Sequence, residues 1–125
     1  MKSNHSDKVF EGIDFQTTTL EKGDYENCKF RNCNFSGLAL SEIVFVECEF
    51  TDCDFTLANL KNASFNDVAF KTCKQLGLRF DECKGLLLSF SFDSCTLNFS
   101  SFYKLKIKKT IFKACKLLEV RIHRN

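Results

Sequence analysis

Apolar residues recur at every fifth position along most of this chain. Divided into blocks of five from Cys28 to Thr72, the sequence reads CKFRN, CNFSG, LALSE, IVFVE, CEFTD, CDFTL, ANLKN, ASFND and VAFKT. The middle residue of each block is Phe or Leu, and the residue two positions before it is Cys, Leu, Ile, Ala or Val. The same frame extends back to Phe10, so 13 consecutive central residues are all Phe, Leu or Tyr. Such regularity indicates a repeat architecture.

A period of five fits neither the 3.6-residue period of a helix nor the two-residue period of a strand. We therefore expect a corner after each central residue, where polar residues such as Glu42, Asp52, Asn62 and Asp67 lie. Four corners close a square, so 20 residues form one coil, and residue types do recur 20 positions apart. At the strand spacing of about 4.8 Å, this predicts an all-β quadrilateral β-helix, a solenoid of about five to six coils. The predicted core consists of Phe10, Phe15, Leu20, Phe30, Phe35, Leu40, Phe45, Phe50, Phe55, Leu60, Phe65, Phe70 and Phe112.

The repeat indicates a single domain over residues 8–125, with a bulge near 75–92. Residues 1–7 are polar, and we expect them to form a disordered tail because nothing in them favours burial. No 18-residue apolar run is present, which argues against a membrane span. The first residues lack the apolar core of a signal peptide, so we expect a cytoplasmic protein.

The pattern weakens where Gln75 and Gly85 occupy central positions. Past this region the frame shifts by two residues and then resumes, so we expect the two extra residues, near Phe90–Phe92, to form a small outward bulge. Leu86 and Leu87 fall in outward positions. Two interpretations of them are open: an exposed apolar interaction patch, or a local distortion that buries them.

The eight cysteines all occupy the position two before a central residue. That position also accepts Ala, Val, Leu, Ile, Ser and Thr, and a free cysteine packs like a small hydrophobe. Zinc sites usually have closer cysteine spacings or nearby histidines, whereas His5 and His123 lie near the termini. Stacked cysteines lie close enough for disulfides, but a cytoplasmic location keeps thiols reduced. We therefore favour buried thiols over a metal site or disulfides, and expect no metal or cofactor.

Charge is unevenly distributed along the chain. Residues 1–60 contain 11 acidic and 5 basic side chains, whereas residues 61–125 contain 5 acidic and 13 basic ones. The most prominent basic feature is a run of lysines near the C-terminus. Its candidate interaction residues are Lys104, Lys106, Lys108 and Lys109. Such a run is typical of contact with nucleic acid or an acidic protein. It also has a structural explanation, since lysines keep an exposed last coil soluble and discourage edge-to-edge pairing.

No pattern in the chain predicts catalysis. Two histidines near the termini do not form a Ser–His–acid or Cys–His set, and no GxGxxG or P-loop motif is present. The carboxylates lie singly at corners or outward positions, where a solvated surface explains them. We therefore predict no catalytic, cofactor-binding or metal-binding residues and a protein that is not an enzyme.

The blocks resemble the pentapeptide-repeat family, whose A-[DN]-L-x-x motif is matched most closely by ANLKN at 58–62. The stretches CKFRNCNFSGLAL, CEFTDCDFTLANLKNASF and LGLRFDECKGLLLSF are similar to the quinolone-resistance (Qnr) members. This resemblance implies a right-handed quadrilateral β-helix. It also implies binding to DNA gyrase and topoisomerase IV by an acidic rod that mimics DNA. The outward loops and the C-terminal part of those proteins have no counterpart in this sequence.

Together these features favour a non-enzymatic protein-interaction or scaffold module, with binding to a type II topoisomerase as its sharpest version. One alternative is binding to nucleic acid or an acidic partner through the lysine-rich C-terminal coil, of which nucleic acid is the less favoured. A second alternative is a structural fragment that forms a homodimer by end stacking, because Phe112, Leu117 and Ile122 would be exposed on an open last coil.

Overall fold

A computed structural model describes residues 3–85, 88–107 and 109–122 and shows a solenoid of short parallel strands. The strands are β1 (Ser3–Ser6), β2 (Val9–Glu11), β3 (Gly23–Glu26), β4 (Lys29–Arg31), β5 (Ile43–Val46), β6 (Glu49–Thr51), β7 (Ser64–Asn66), β8 (Val68–Lys71), β9 (Phe90–Asp93), β10 (Ser101–Phe102), β11 (Ile111–Lys113) and β12 (Arg121–Ile122). Among the described residues, the only helix is a 3-10 turn, Phe80–Glu82. The predicted all-β quadrilateral β-helix is confirmed.

The solenoid has four faces. The first face is the sheet β1-β3-β5-β7, and the second face is the six-stranded sheet β2-β4-β6-β8-β9-β11. The third face is held by isolated parallel bridges that join Asp14, Asn34, Asp54, Lys74, Thr96 and Lys116 in sequence. The fourth face contains the bridges Ala39–Asn59 and Arg79–Ser101 and the pair β10-β12.

The register of the first face defines the coils. Ser3 pairs with Gly23, and Gly23 pairs with Ile43, so each early coil contains 20 residues. We number the coils 1 (residues 3–22), 2 (23–42), 3 (43–62), 4 (63–82), 5 (83–104) and 6 (from 105). Coil 5 is two residues longer than its predecessors, because Val68 pairs with Phe90.

The corners are built by residues in the left-handed conformation. The predicted corner residues Glu42, Asp52, Asn62 and Asp67 have φ angles of 65°, 54°, 63° and 57°. Asn, Asp and Gly tolerate this conformation best and occupy about half of the corners, although Glu, Thr and other residues also occur there. The chain therefore turns where the sequence pattern predicts it.

Stacked rings fill the interior. On the second face, Phe30 and Phe50 lie 4.8 Å apart between ring centroids, and Phe92 and Phe112 lie 5.3 Å apart. Of the predicted core residues, three are only half-buried, namely Phe10, Leu20 and Phe112, and the others are buried. Because the half-buried residues lie in coils 1 and 6, the best-packed part of the core lies in the middle coils.

The structure corrects the prediction of a disordered tail over residues 1–7 for residues 3–7, and the first two residues lie outside the described ranges. Ser3–Ser6 forms β1, which pairs in parallel with β3. His5 takes the central position one coil before Tyr25, and the two rings stack at 4.5 Å. A histidine did not fit the Phe, Leu and Tyr pattern of central residues, so the sequence placed the start of the solenoid one block too late.

The two extra residues of coil 5 also differ from the prediction. Backbone hydrogen bonds keep the 20-residue register up to Lys84, whose N–H donates to the Ala63 carbonyl at 2.7 Å. The longer register is present from Ser89, whose carbonyl accepts from the Val68 N–H at 3.1 Å. The insertion thus lies before Phe90, and Phe90 is buried rather than part of an outward bulge. Leu86 and Leu87 lie outside the described residues.

Candidate interaction surfaces

The lysine-rich candidate surface lies at coils 5 and 6. Lys104, Lys106 and Lys109 are exposed, whereas Lys108 lies outside the described residues. Lys104 and Lys106 border a cavity of about 250 Å³ that is also lined by Gly85, Leu88, Phe90 and Leu105. The structure therefore brings two of the predicted lysines to one opening on the first face.

The acidic half of the chain covers coils 1 to 3. On the first face, Asp24 and Glu26 are exposed in β3, and Glu47 is exposed at the corner that follows β5. Lys22 forms an ion pair with Glu42 at 3.2 Å, and Lys29 forms one with Glu49 at 3.8 Å. Since all four of these side chains are exposed, the pairs contribute little to stability and leave the surface negative.

The cysteine side chains are buried or half-buried, and all except Cys83 donate to backbone carbonyls. The thiol of Cys53, for example, lies 3.3 Å from the Phe30 carbonyl of the preceding coil and 3.4 Å from the Thr51 carbonyl of its own coil. All eight are free; six are buried, and Cys83 and Cys115 are half-buried. Burial raises the pKa of Cys48 to about 12. A thiol held neutral in this way is a poor nucleophile and a poor metal ligand.

The side chain of His5 is buried and packs against its neighbours. Its ring stacks on Tyr25, its Nδ1 lies 3.1 Å from Lys8 Nζ, and its Nε2 lies 3.6 Å from a Glu21 carboxylate oxygen. Among the described residues, no group of three or more His, Cys, Asp or Glu side chains is arranged to hold a metal ion. No helix in the described ranges is long and apolar enough to cross a membrane.

The third face carries a column of outward side chains that changes sign halfway along the solenoid. From coil 1 to coil 6 it reads Asp14, Asn34, Asp54, Lys74, Thr96 and Lys116. Hydrogen bonds fix the acidic end: Asp14 Oδ1 accepts from Asn34 Nδ2 at 3.2 Å, and Asp54 Oδ1 accepts from the Thr56 N–H at 2.9 Å. Asp14, Asn34 and Asp54 also line a cavity of about 240 Å³. The sequence analysis followed apolar positions and therefore missed this column. A comparison of polar residues 20 positions apart, allowing for the two extra residues of coil 5, would have shown it.

One corner of the third face exposes large apolar side chains. Leu57 and Phe99 are 69% and 55% exposed, and both adopt positive φ angles, of 57° and 65°. Between them in the same corner row lies Gly77, and Gly37 lies in the row one coil before Leu57. Bulky residues are disfavoured in this conformation. Leu57 lies over Gly77, where its Cδ2 takes the space of a side chain, but most of its surface and of that of Phe99 stays exposed.

The comparison with known families supports the repeat assignment. The profile of the family described as "Pentapeptide repeat region" matches residues 23–85 and 43–122, which together span most of the chain. No curated protein sequence matches the chain.

Solved structures of QnrB1 show the same architecture. A trypsin-treated form of QnrB1, described as a plasmid-mediated fluoroquinolone resistance protein, is 22% identical with a TM-score of 0.53 over 94% of this chain and 69% of that chain. A second trypsin-treated form is 20% identical with a TM-score of 0.52 over 90% and 68%. A pentapeptide repeat protein (Rfr23) from the cyanobacterium Cyanothece 51142 is 11% identical with a TM-score of 0.46 over 94% and 86%. At these identities the likeness to the QnrB1 structures is one of fold.

Proposed function

Because the chain belongs to the pentapeptide-repeat family, as its blocks of five indicated, we propose that it is a non-enzymatic protein-interaction module. The repeated residues are used for packing, so recognition falls to the outward positions of the four faces. Solenoids commonly use such extended surfaces to bind other macromolecules. A cytoplasmic location is part of this proposal, and the eight free cysteines accord with a reducing compartment.

Within this class we propose that the partner is a type II topoisomerase such as DNA gyrase, bound by partial DNA mimicry. The observation that carries this proposal is the exposed acidic surface of coils 1 to 3, where Asp24, Glu26 and Glu47 lie on or beside the first face. Asp24 and Glu26 project from the same strand about 7 Å apart, and Glu47 lies one coil further along. Such a cluster of negative charge can occupy a cationic surface that otherwise binds phosphates. The QnrB1 structures, described as fluoroquinolone resistance proteins, motivate the choice of topoisomerase.

The decisive measurement is quinolone inhibition of gyrase supercoiling with and without the purified protein. We expect a molar excess of the protein to raise the quinolone concentration that gives half-inhibition. The double variant Asp24→Asn/Glu26→Gln should reduce that shift, because it removes two negative charges from the proposed contact. The matched control, Lys104→Gln/Lys106→Gln, removes two positive charges near the other end and should leave the shift unchanged. A wild-type protein without any effect at large excess would contradict topoisomerase binding.

A second candidate is binding of an acidic partner or nucleic acid at the lysine-rich end. It is favoured by Lys104 and Lys106, which flank one cavity beside Leu105 and Phe90. If it holds, the protein should retard a DNA duplex or an acidic polypeptide in a native gel at low salt, and Lys104→Gln/Lys106→Gln should abolish the retardation. The Asp24→Asn/Glu26→Gln variant serves as the control here. If the wild-type protein retards neither the DNA duplex nor the acidic polypeptide, this second candidate function is contradicted.

A further inference from the structure

We infer that the third face is a homodimer interface at which two copies of this chain pack side by side and antiparallel. The charged column along this face is self-complementary under a two-fold rotation. If coil 1 of one copy faces coil 6 of the other, Asp14 meets Lys116 and Asp54 meets Lys74, and each contact occurs twice. Asn34 and Thr96, both neutral, face each other between them.

The spacing of the charges allows these contacts to form together. Asp14 and Asp54 are two coils apart, and so are Lys74 and Lys116. Both separations are therefore about 10 Å, since each coil advances the solenoid by about 4.8 Å. The acidic pair also lines a cavity of about 240 Å³, into which a lysine side chain can extend. Among the described residues, Lys74 and Lys116 form no ion pair within their own chain.

The edge of the second face that borders the third face extends the complementarity. One row of this edge contains Glu11, Arg31, Thr51, Lys71, Asp93 and Lys113, each paired in register with the next. In the same antiparallel arrangement Glu11 faces Lys113, and Arg31 faces Asp93. Neither this row nor the central column then places like charges opposite each other.

The charges also select one register. If one copy slides by a single coil in one direction, Asp54 faces its own counterpart in the partner copy. If it slides by one coil in the other direction, Lys74 faces its counterpart. A parallel arrangement would place every charge of the column opposite an identical one. Like charges in contact disfavour these alternatives. A slide of two coils avoids like charges but keeps only two opposite-charge contacts, so the antiparallel, in-register dimer, with four, forms the most ion pairs along the column.

The apolar corner of this face fits the same arrangement. Phe99 in coil 5 faces Gly37 in coil 2 of the other copy, and a side-chain atom at Gly37 would meet nothing within 4 Å. Leu57 in coil 3 faces Gly77 in coil 4, so the two leucines of the dimer come together beside the two-fold axis. The exposed corner side chains thereby gain packing that the single chain does not provide. We expect a reversible dimer, because one face of a six-coil rod is smaller than the roughly 800 Å² per partner of a standard stable interface.

Sedimentation equilibrium at low and high salt tests this arrangement with two single charge reversals in the middle of the rod. Asp54→Lys leaves lysines at both positions 54 and 74, and Lys74→Glu leaves carboxylates at both. Each variant alone should self-associate at least about tenfold more weakly than wild type. An equimolar mixture should regain dimers, because the lysine introduced in one variant would then face the glutamate introduced in the other, and the unchanged Asp54 would face the unchanged Lys74. Raising the salt from about 0.05 M to about 1 M should weaken both wild type and mixture, because the Debye length falls to about 3 Å.

The matched controls are Asp24→Lys and Lys84→Glu, which make the same charge changes on the first face, on the opposite side of the solenoid. They should leave the dimer unchanged, and circular dichroism should show that all variants are folded. A wild-type chain that stays monomeric at low salt overturns the inference. So does a mixture that fails to associate, or a control that weakens the dimer equally. Charge reversals at Asp54 and Lys74 would not weaken a dimer that forms end to end. Unchanged self-association of these two variants would therefore also contradict the side-by-side arrangement.

Discussion

At the scale of single residues, the position inside each coil decides what a side chain can do. Central positions and those two before them face the interior, so Phe, Leu and Cys are used there for packing. Gln75 departs from this rule, since it takes a central position between Phe55 and Leu97 in successive coils and is fully buried. Its side-chain oxygen and nitrogen have no hydrogen-bond partner. A buried amide without partners lowers stability by roughly 1–3 kcal/mol.

Replacing Gln75 by leucine should therefore stabilise the protein. Leucine occupies the same column at Leu97, so the site accepts its shape. We expect Gln75→Leu to raise the free energy of unfolding by about 1–3 kcal/mol, measured from urea midpoints at unchanged slope. Gln16→Leu is the control, because exposed Gln16 donates to Ser36 at 2.8 Å and has no desolvation penalty to relieve. A lower stability of Gln75→Leu than of wild type would show that the amide has a partner after all.

At the scale of the element, coil 5 shows how one defect in the repeat is repaired. Gly85 takes a central position and contributes no side chain, so the stack that runs from Tyr25 through Phe65 has no ring there. Phe90 enters the interior instead, with its centroid 5.8 Å from Phe65 and 5.2 Å from Phe80. The inserted residues thus allow a ring from the neighbouring face to fill the space that glycine leaves.

Removal of this ring should be costly. We expect Phe90→Ala to lower the free energy of unfolding by about 3–5 kcal/mol, because it opens a cavity in the middle of coil 5. Phe99→Ala removes the same atoms from a side chain that is more than half exposed. Measured at micromolar concentration, it should change stability by no more than about 0.5 kcal/mol. Equal losses for the two variants would mean that Phe90 does not support the core.

At the scale of the whole molecule, the solenoid has a gradient of packing along its axis. Central residues such as Phe50 are fully buried in the middle coils, whereas Leu117 and Ile122 in coil 6 are 41% and 48% exposed. In repeat proteins each coil is stabilised mainly by its neighbours, so local stability follows this gradient. The best-packed coils therefore include part of the acidic region, whereas the lysine-rich region lies toward the less well packed C-terminal end.

Hydrogen exchange followed by mass spectrometry should report the gradient. We expect amides of coils 2 to 4 to exchange only on global unfolding, and those of residues 109–122 to exchange first. The experiment belongs at a concentration below that of self-association, because a partner could protect the same amides. Uniform protection from coil 1 to coil 6 in the monomer would contradict the gradient.

Much of the architecture follows from the sequence alone, because a five-residue period leaves a chain few ways to bury its apolar positions. The square coil, the corners at residues such as Asn62 and the interior position of the cysteines follow from that period, and the family was indicated by the resemblance of blocks such as ANLKN to its motif. The pattern of Phe, Leu and Tyr could not identify His5 as a central residue, because imidazole is polar. The stacking of its ring on Tyr25, which favours its burial, is visible only in the structure. Nor could it show that Phe90 turns inward, because that depends on the space beside Gly85.

The surfaces depended most on the tertiary structure. Net charge and its asymmetry can be counted along the chain, and they predicted an acidic half and a lysine-rich end. Which charges share a face is decided by the register between coils, which brings residues 20 or more positions apart to within about 5 Å. Only that register places Asp14, Asp54, Lys74 and Lys116 in one column, with Leu57 and Phe99 at its edge. The sequence by itself thus determined how the chain coils and packs, whereas its faces, and what they can bind, were decided by the stacking of the coils.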